Sequence, residues 1–303
     1  MTIAELLQKK TTLSLEVFPP KDGVSLDGIR ETLSRLCELG PDFFSCTFGA
    51  GGTGRGRNVE VCDIINESGN LVVPHLTCIG NSRDDVRETV RSYLDRKIVN
   101  LLALRGDFPA GRDGTGGDFV HADGLIAFLK SEFPDLCVGA AGYPEKHLEA
   151  ASPESDVAYL RSKQDSGAGF VMTQLCYDVP AFERFMERIR KAGVTIPVVV
   201  GIMPVLSYEP TLRMTVSNGC SVPAGLAAVL GRYRNDPEGL AKAGVEYTAD
   251  LMHGFAGAGA GGLHVYSLNK WKRIAEILET AGLSGRKNRQ YSSDSGPDAP
   301  VVY

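Results

Sequence analysis

Apolar runs of roughly five to eight residues alternate with amphipathic stretches of roughly ten to fifteen, from one end of the chain to the other. The runs Leu13–Phe18, Phe43–Phe48, Leu71–Cys78, Ile98–Leu104, Cys137–Tyr143, Phe170–Cys176, Ile196–Met203 and Gly262–Tyr266 predict strands. Most are continuously apolar, as expected of parallel strands covered on both faces. Helix signals fill the gaps. Asp178 is a predicted cap with Pro180 in the first turn; Phe182, Phe185, Met186 and Ile189 follow at helical spacing, and Gly193 stops the helix. Ser152-Pro153 opens another helix that Gly167 closes, and Leu33, Leu36 and Leu39 mark a third, ended by Gly40-Pro41. The region 205–256 is longer than one strand–helix unit needs, and predicts extra helices near 208–217, 223–232 and 237–255.

This rhythm predicts the α/β class and a single (β/α)8 barrel, the TIM-barrel architecture, with extra helices before the last strand. An open doubly wound sheet is the rival reading. No linker interrupts 10–283, so residues 1–283 are expected to form one domain. Residues 284–303 are rich in Ser, Asp, Gly and Pro and carry three basic side chains, and are expected to be a disordered or interaction tail.

Composition narrows the function. The 303 residues are 43% hydrophobic and 23% charged, which excludes disorder, collagen and coiled coil. A chain of this size can bury about three-quarters of its unfolded surface. No apolar run approaches the ~18–20 residues that cross a bilayer. Met1-Thr2-Ile3-Ala4-Glu5 lacks the basic and apolar regions of a signal peptide, so a cytoplasmic protein is expected. A net charge of −5 without a long basic run argues against nucleic acid. The seven cysteines include no Cys-x-x-Cys and read as reduced, buried thiols.

In such a barrel the active site lies at the C-terminal ends of the strands. Those ends carry Glu16, Thr47, His75 with Thr77, Arg105-Gly106-Asp107, Tyr143, Gln174, and Tyr266 with Asn269. Glu16 sits in Leu15-Glu16-Val17-Phe18-Pro19-Pro20, where burial would raise its pKa and suit a general acid. A carboxylate satisfied by a neighbouring Arg or backbone N–H is the alternative. Asp107 follows Leu104-Arg105-Gly106 and reads as a site carboxylate, a partner of Arg105 or a helix cap.

Several other chemistries lack their residues. Gly49 to Gly54 fits G-x-G-x-x-G, but the next strand ends Pro74-His75-Leu76-Thr77-Cys78 without the ribose-binding acid of a dinucleotide site. A second match, Gly257 to Gly262, leads into a strand instead of leaving one. The five histidines form no H-x-H or H-E-x-x-H, so no metal site is expected. No Lys lies in a strand core for a Schiff base, and no G-x-S-x-G elbow is present.

The motifs as a series are more specific than any one of them. Leu15-Glu16-Val17-Phe18-Pro19-Pro20-Lys21, Thr47-Phe48-Gly49-Ala50, Pro74-His75-Leu76-Thr77-Cys78 and Leu104-Arg105-Gly106-Asp107 come first. Gly142-Tyr143-Pro144-Glu145-Lys146-His147, Thr173-Gln174, Gly201-Ile202-Met203-Pro204 and Tyr266-Ser267-Leu268-Asn269 follow in order. Over about residues 10–282 the chain resembles the short bacterial type of 5,10-methylenetetrahydrofolate reductase.

That resemblance implies a barrel holding FAD without a Rossmann domain. It implies ping-pong reduction of methylenetetrahydrofolate to 5-methyltetrahydrofolate by NADH or NADPH, within one-carbon and methionine metabolism. Glu16 would be the general acid and Asp107 would lie beside the flavin and folate rings, both touching substrate. The implied FAD contacts are Thr47, His75, Arg105, Gly106, Asp107, Tyr143, His147, Asp156 and Lys163. Of these, Arg105, His147 and Lys163 would face the pyrophosphate. From spacing alone, Asp156 and Lys163 would be a solvated helix pair. Gln174, Tyr208 and Tyr266 would contact folate or nicotinamide.

Two departures from the family pattern stand out: Lys270 where Arg is common, and Leu175-Cys176-Tyr177 in place of a more aromatic run. Family analogy adds a homo-oligomer. The competing readings are a flavin-bearing subunit reduced by a partner protein, and a different pterin-binding barrel such as a methyl or pteroate transferase.

Overall fold

The computed structural model describes residues 1–48, 55–106 and 116–285. The strands are β1 (Thr12–Val17), β2 (Phe43–Cys46), β3 (Leu71–Thr77), β4 (Asn100–Leu104), β5 (Cys137–Gly142), β6 (Phe170–Leu175), β7 (Val198–Ile202) and β8 (Gly262–Tyr266). Around them run α1 (Ile3–Lys9), α2 (Asp27–Glu38), α3 (Arg55–Glu67), α4 (Arg83–Leu94), α5 (Ala122–Glu132) and α6 (Pro153–Asp165). They are followed by α7 (Val179–Lys191), α8 (Tyr208–Ser217), α9 (Ala224–Arg232), α10 (Pro237–Gly257) and α11 (Trp271–Thr280). The strands pair in sequence order and in parallel, and β1 closes the ring against β8. Closure excludes the open-sheet alternative.

The eight predicted strands are all present, and the extra helices before the last strand are α8, α9 and α10. Local chemistry explains the helix starts. Ser152 caps α6 by accepting from the Ser155 N–H, with Pro153 in the first turn, and Asp178 caps α7 by accepting from the Ala181 N–H.

The first helix was not foreseen, because seven residues are too few to show a helical period. Its signal is the Thr2/Glu5 capping box. α1 presses Ile3, Leu6 and Leu7 onto Phe43, Phe170, Met172 and Val199 and so plugs the bottom of the barrel. The Ile3 N–H donates to the Asn100 side chain at 2.8 Å, which ties the plug to β4. Each such aliphatic side chain contributes roughly 1.5–3 kcal/mol when fully buried.

The strands have a period of two that their apolar composition conceals. Leu13, Leu15 and Val17 join the core between barrel and helices, while Glu16 lines a cavity inside the barrel. Leu263 and Val265 likewise join that outer core, leaving His264 and Tyr266 on the other face. No helix among the described residues is long and apolar enough to cross a membrane.

Candidate active site

A cavity of about 740 Å³ opens at the C-terminal mouth of the barrel, a size typical of small-molecule sites. Its wall contains Glu16, Thr47, His75, Arg105, Gly106, Tyr143, His147, Gln174 and Tyr266, all named from sequence. A smaller cavity of about 150 Å³ shares Leu104, Arg105, Ala141, Tyr143 and His147 with the first and extends to Asp156 and Lys163 on α6. The two adjoin through these shared residues, the smaller as a shorter arm that carries Lys163, with Arg105 and His147 bordering both.

One expected residue is placed differently. Tyr208, at the start of α8, lies outside the lining of both cavities, with the Arg234 guanidinium 5.3 Å from its ring centre. The far end of the same helix supplies wall residues instead, Met214 and Asn218. Asp107 and the Gly49–Gly54 stretch lie outside the described residues.

Glu16 is the centre of a buried polar cluster drawn from four strands, β1, β2, β3 and β8. Ser45 Oγ donates to its Oε2 at 3.2 Å, His264 Nε2 lies at 3.4 Å, and His75 Nε2 lies at 3.6 Å. Behind it, His264 Nδ1 is 2.8 Å from Ser14 Oγ. Register explains the convergence, since β1 pairs Glu16 with Ser45 on one side and with Tyr266 on the other. The Glu16 side chain keeps only 16% of its surface exposed and His264 none.

The expectation that burial would leave Glu16 protonated requires a correction. Burial does push the carboxyl upward, but hydrogen bonding from His264 and Ser45 and the pull of the two imidazoles outweigh it. The group therefore sits below the ordinary carboxylate value. His75 is also pushed down, because burial disfavours its charged form more than Glu16 favours it. Its Nε2 is buried with no hydrogen-bond partner among the described residues, an open valence at the cavity wall.

On the shorter arm, Lys163 Nζ donates to the Ala141 carbonyl at 2.9 Å, and the His147 N–H donates to Asp156 Oδ2 at 3.1 Å. Burial lowers the Lys163 amine and raises the Asp156 carboxyl. Asp156 and Lys163 are thus inward-facing parts of the site, not the solvated pair that spacing alone implied. The Tyr143 and His147 rings meet edge to face at 4.6 Å. Gly106 adopts φ +85°, and a Cβ there would approach Thr77 Cβ to 3.2 Å, so the turn below Arg105 is best served by glycine.

Gln174 and Tyr266 are held by an irregularity in the sheet. The β6–β7 register shifts between Met172 and Leu175. There Thr173 Oγ1 accepts from the Gly201 N–H at 2.9 Å, and Tyr266 Oη donates to the Thr173 carbonyl at 3.2 Å. Lys270 is the N-cap residue of α11.

Sequence reasoning missed Ser14, Ser45, His264 and Asn218. For the first three the signal was present: polar residues two apart from Glu16 or Tyr266, or directly paired with Glu16, face the same lumen.

The architecture resembles that of a Clostridium thermocellum protein which binds two copies of 5-methyl-5,6,7,8-tetrahydrofolic acid. The TM-score is 0.64 at 16% identity, over 91% of this chain and 96% of that one. Sequence similarity goes further. The 5,10-methylenetetrahydrofolate reductase of Pectobacterium carotovorum is 33% identical over 283 residues, covering 93% of each chain. That of Escherichia coli K12 is 31% identical, covering 93% of this chain and 94% of its own. A probable methylenetetrahydrofolate reductase (NADH) of Oryza sativa is 33% identical, but this chain spans about half its length, as it does for other plant and fission-yeast relatives. The family model for methylenetetrahydrofolate reductase matches residues 2–282, which takes in every strand of the barrel and the whole lining of both cavities. The chain belongs to the methylenetetrahydrofolate reductase family.

Proposed function

We propose that this chain reduces 5,10-methylenetetrahydrofolate to 5-methyltetrahydrofolate, using FAD and a hydride from NADH or NADPH. The carrying observation is the junction of two features in one cavity. A buried acid, Glu16, is grouped with His75 and His264, and an adjoining arm is lined by Arg105, His147 and Lys163. The donor set suits an elongated ligand with an anionic middle. Arg105 offers a fork to a pyrophosphate, Lys163 and His147 add donors, and Tyr143 adds an aromatic face beside them. His75 Nε2, which has no hydrogen-bond partner among the described residues, offers one further polar contact at the barrel mouth.

FAD, when bound, supplies a carrier that accepts and returns a hydride. The remaining tasks fall to side chains. Opening the imidazolidine ring of the substrate to its N5 iminium form requires a proton at the departing nitrogen. We assign that proton transfer to Glu16, the carboxyl at the wall, with the His75 and His264 imidazoles within 3.6 Å of it. Gln174 and Tyr266 line the same chamber and supply an amide and a ring for a pterin. Asp107, the residue after Gly106 in the sequence, is the second carboxylate that the family resemblance implies for the site, where it would tune a bound flavin as a hydride donor.

The test is the visible spectrum of the purified protein under anaerobic conditions. A flavin band that NADH bleaches and methylenetetrahydrofolate restores is the expected result. A band that NADH and NADPH both leave intact would instead assign reduction to a partner protein. A protein that cannot be loaded with FAD would overturn the reading.

A further inference from the structure

Gln174 enters the cavity with its amide already oriented. The Leu175 N–H can only donate, so the Gln174 atom 2.8 Å from it is the oxygen. The Met214 carbonyl can only accept, so the Asn218 atom 2.8 Å from it is the nitrogen. With both flips settled by backbone groups, the bond between the side chains has one polarity: Gln174 Nε2 donates to Asn218 Oδ1 at 2.9 Å. Asn218 is the residue that ends α8, half-buried and on the cavity wall beside Gln174. One Gln174 N–H is committed to Asn218 and its oxygen is engaged by the backbone. The oxygen, turned to the backbone, keeps one lone pair, and the donor still uncommitted is the second Nε2–H.

We propose that Asn218 is a positioning residue that locks Gln174 as a hydrogen-bond donor, so that this wall selects an acceptor edge of the bound heterocycle. A glutamine without such a lock could turn either its oxygen or its nitrogen toward a ligand, and would lose rotamer entropy on binding. The lock also links strand β6 to helix α8, so the recognition amide and the Met214 wall are set together. Because the register shift in β6 frees Gln174 from a regular ladder position, a side-chain anchor is what its orientation needs. This inference rests on the folate-reducing reading of the site.

The experiment is a double-mutant cycle in the Kd of 5-methyltetrahydrofolate, measured by calorimetry on the full chain saturated with FAD. Asn218→Ala is expected to weaken binding roughly 3- to 10-fold, the range of one lost hydrogen bond. Gln174→Ala should weaken it at least as much, and the double variant should bind no worse than Gln174→Ala alone. Losses that multiply, or an Asn218→Ala protein that binds like the parent, would overturn the positioning role. If Asn218→Ala does not fold, the near-isosteric Asn218→Leu takes its place in the same cycle. A parent protein that does not bind 5-methyltetrahydrofolate would instead refute the underlying functional reading.

Discussion

Arg105, at the end of β4, grips Glu149 in the loop after β5 with both prongs of its guanidinium, one of them at 2.9 Å. The Arg side chain is 19% exposed and the Glu side chain 55%, so the pair stands at the solvent edge of the smaller cavity. Arg105 holds the Glu149 carboxyl below its usual value. A bound pyrophosphate would have to share or take over that fork. An ion pair this exposed is worth about 0–1 kcal/mol, which a doubly charged ligand can displace.

Removing the competing carboxylate is therefore expected to favour an anionic ligand. Glu149→Gln should tighten FAD about 2- to 5-fold, within the range of one exposed charge pair. Quenching of flavin fluorescence during titration of the FAD-free protein provides the measurement. Weaker binding in the variant would mean that Glu149 holds Arg105 in place instead of competing for it.

Glu16→Gln preserves size and one acceptor oxygen but removes the acid. Turnover of methylenetetrahydrofolate should fall by about 10²–10⁴-fold, the usual range for a general acid. FAD should remain bound, and bleaching of the flavin by NADH should fall much less. Stopped-flow measurement of the two half-reactions separates these effects. Equal losses in both would make Glu16 structural.

Acid should destabilise the fold from a higher pH than carboxylates alone would produce. The folded chain holds the His75 pKa below its ordinary value of 6.5, so the unfolded chain takes up that proton first as pH falls. The stabilising contribution is complete above about 6.5 and is lost as pH drops through the folded pKa. Glu16, also depressed in the folded state, adds a loss of the same sign beginning below its ordinary value of 4.5. Thermal midpoints from about pH 7.5 down to 5 should fall, with a shallower slope in His75→Gln. Identical slopes in the two proteins would remove His75 as the cause.

Gly201 makes room for the Tyr266 hydroxyl. A Cβ there would lie 2.5 Å from the Thr173 carbonyl oxygen and 2.8 Å from Tyr266 Oη. Gly201→Ala should destabilise the chain by about 1–3 kcal/mol and push Tyr266 off its Thr173 partner. Tyr266→Phe, which loses only the hydroxyl bond, should cost less in a denaturant melt. Equal stability of Gly201→Ala and the parent would show that the bulged strand yields freely.

The sequence by itself determined the order of elements and the chemistry of the rim. Long apolar runs and capping residues are local signals, and Leu71–Thr77 or Pro153–Asp165 could be read without knowing what they pack against. The strand-end motifs likewise marked Glu16, His75, Arg105, Tyr143, Gln174 and Tyr266, since a closed parallel barrel gathers those ends at one mouth. Three things came only with the tertiary structure. The first is the protonation balance of Glu16, which depends on His264, brought from the other end of the chain by closure of β1 against β8. The second is the inward turn of Asp156 and Lys163, since spacing along a helix does not say which face meets the barrel. The third is the exchange of Tyr208 for Met214 and Asn218 at the wall, because α8 meets the cavity with its last turn and not its first. Each depends on contacts between residues far apart in sequence, which a local pattern of polar and apolar positions does not encode.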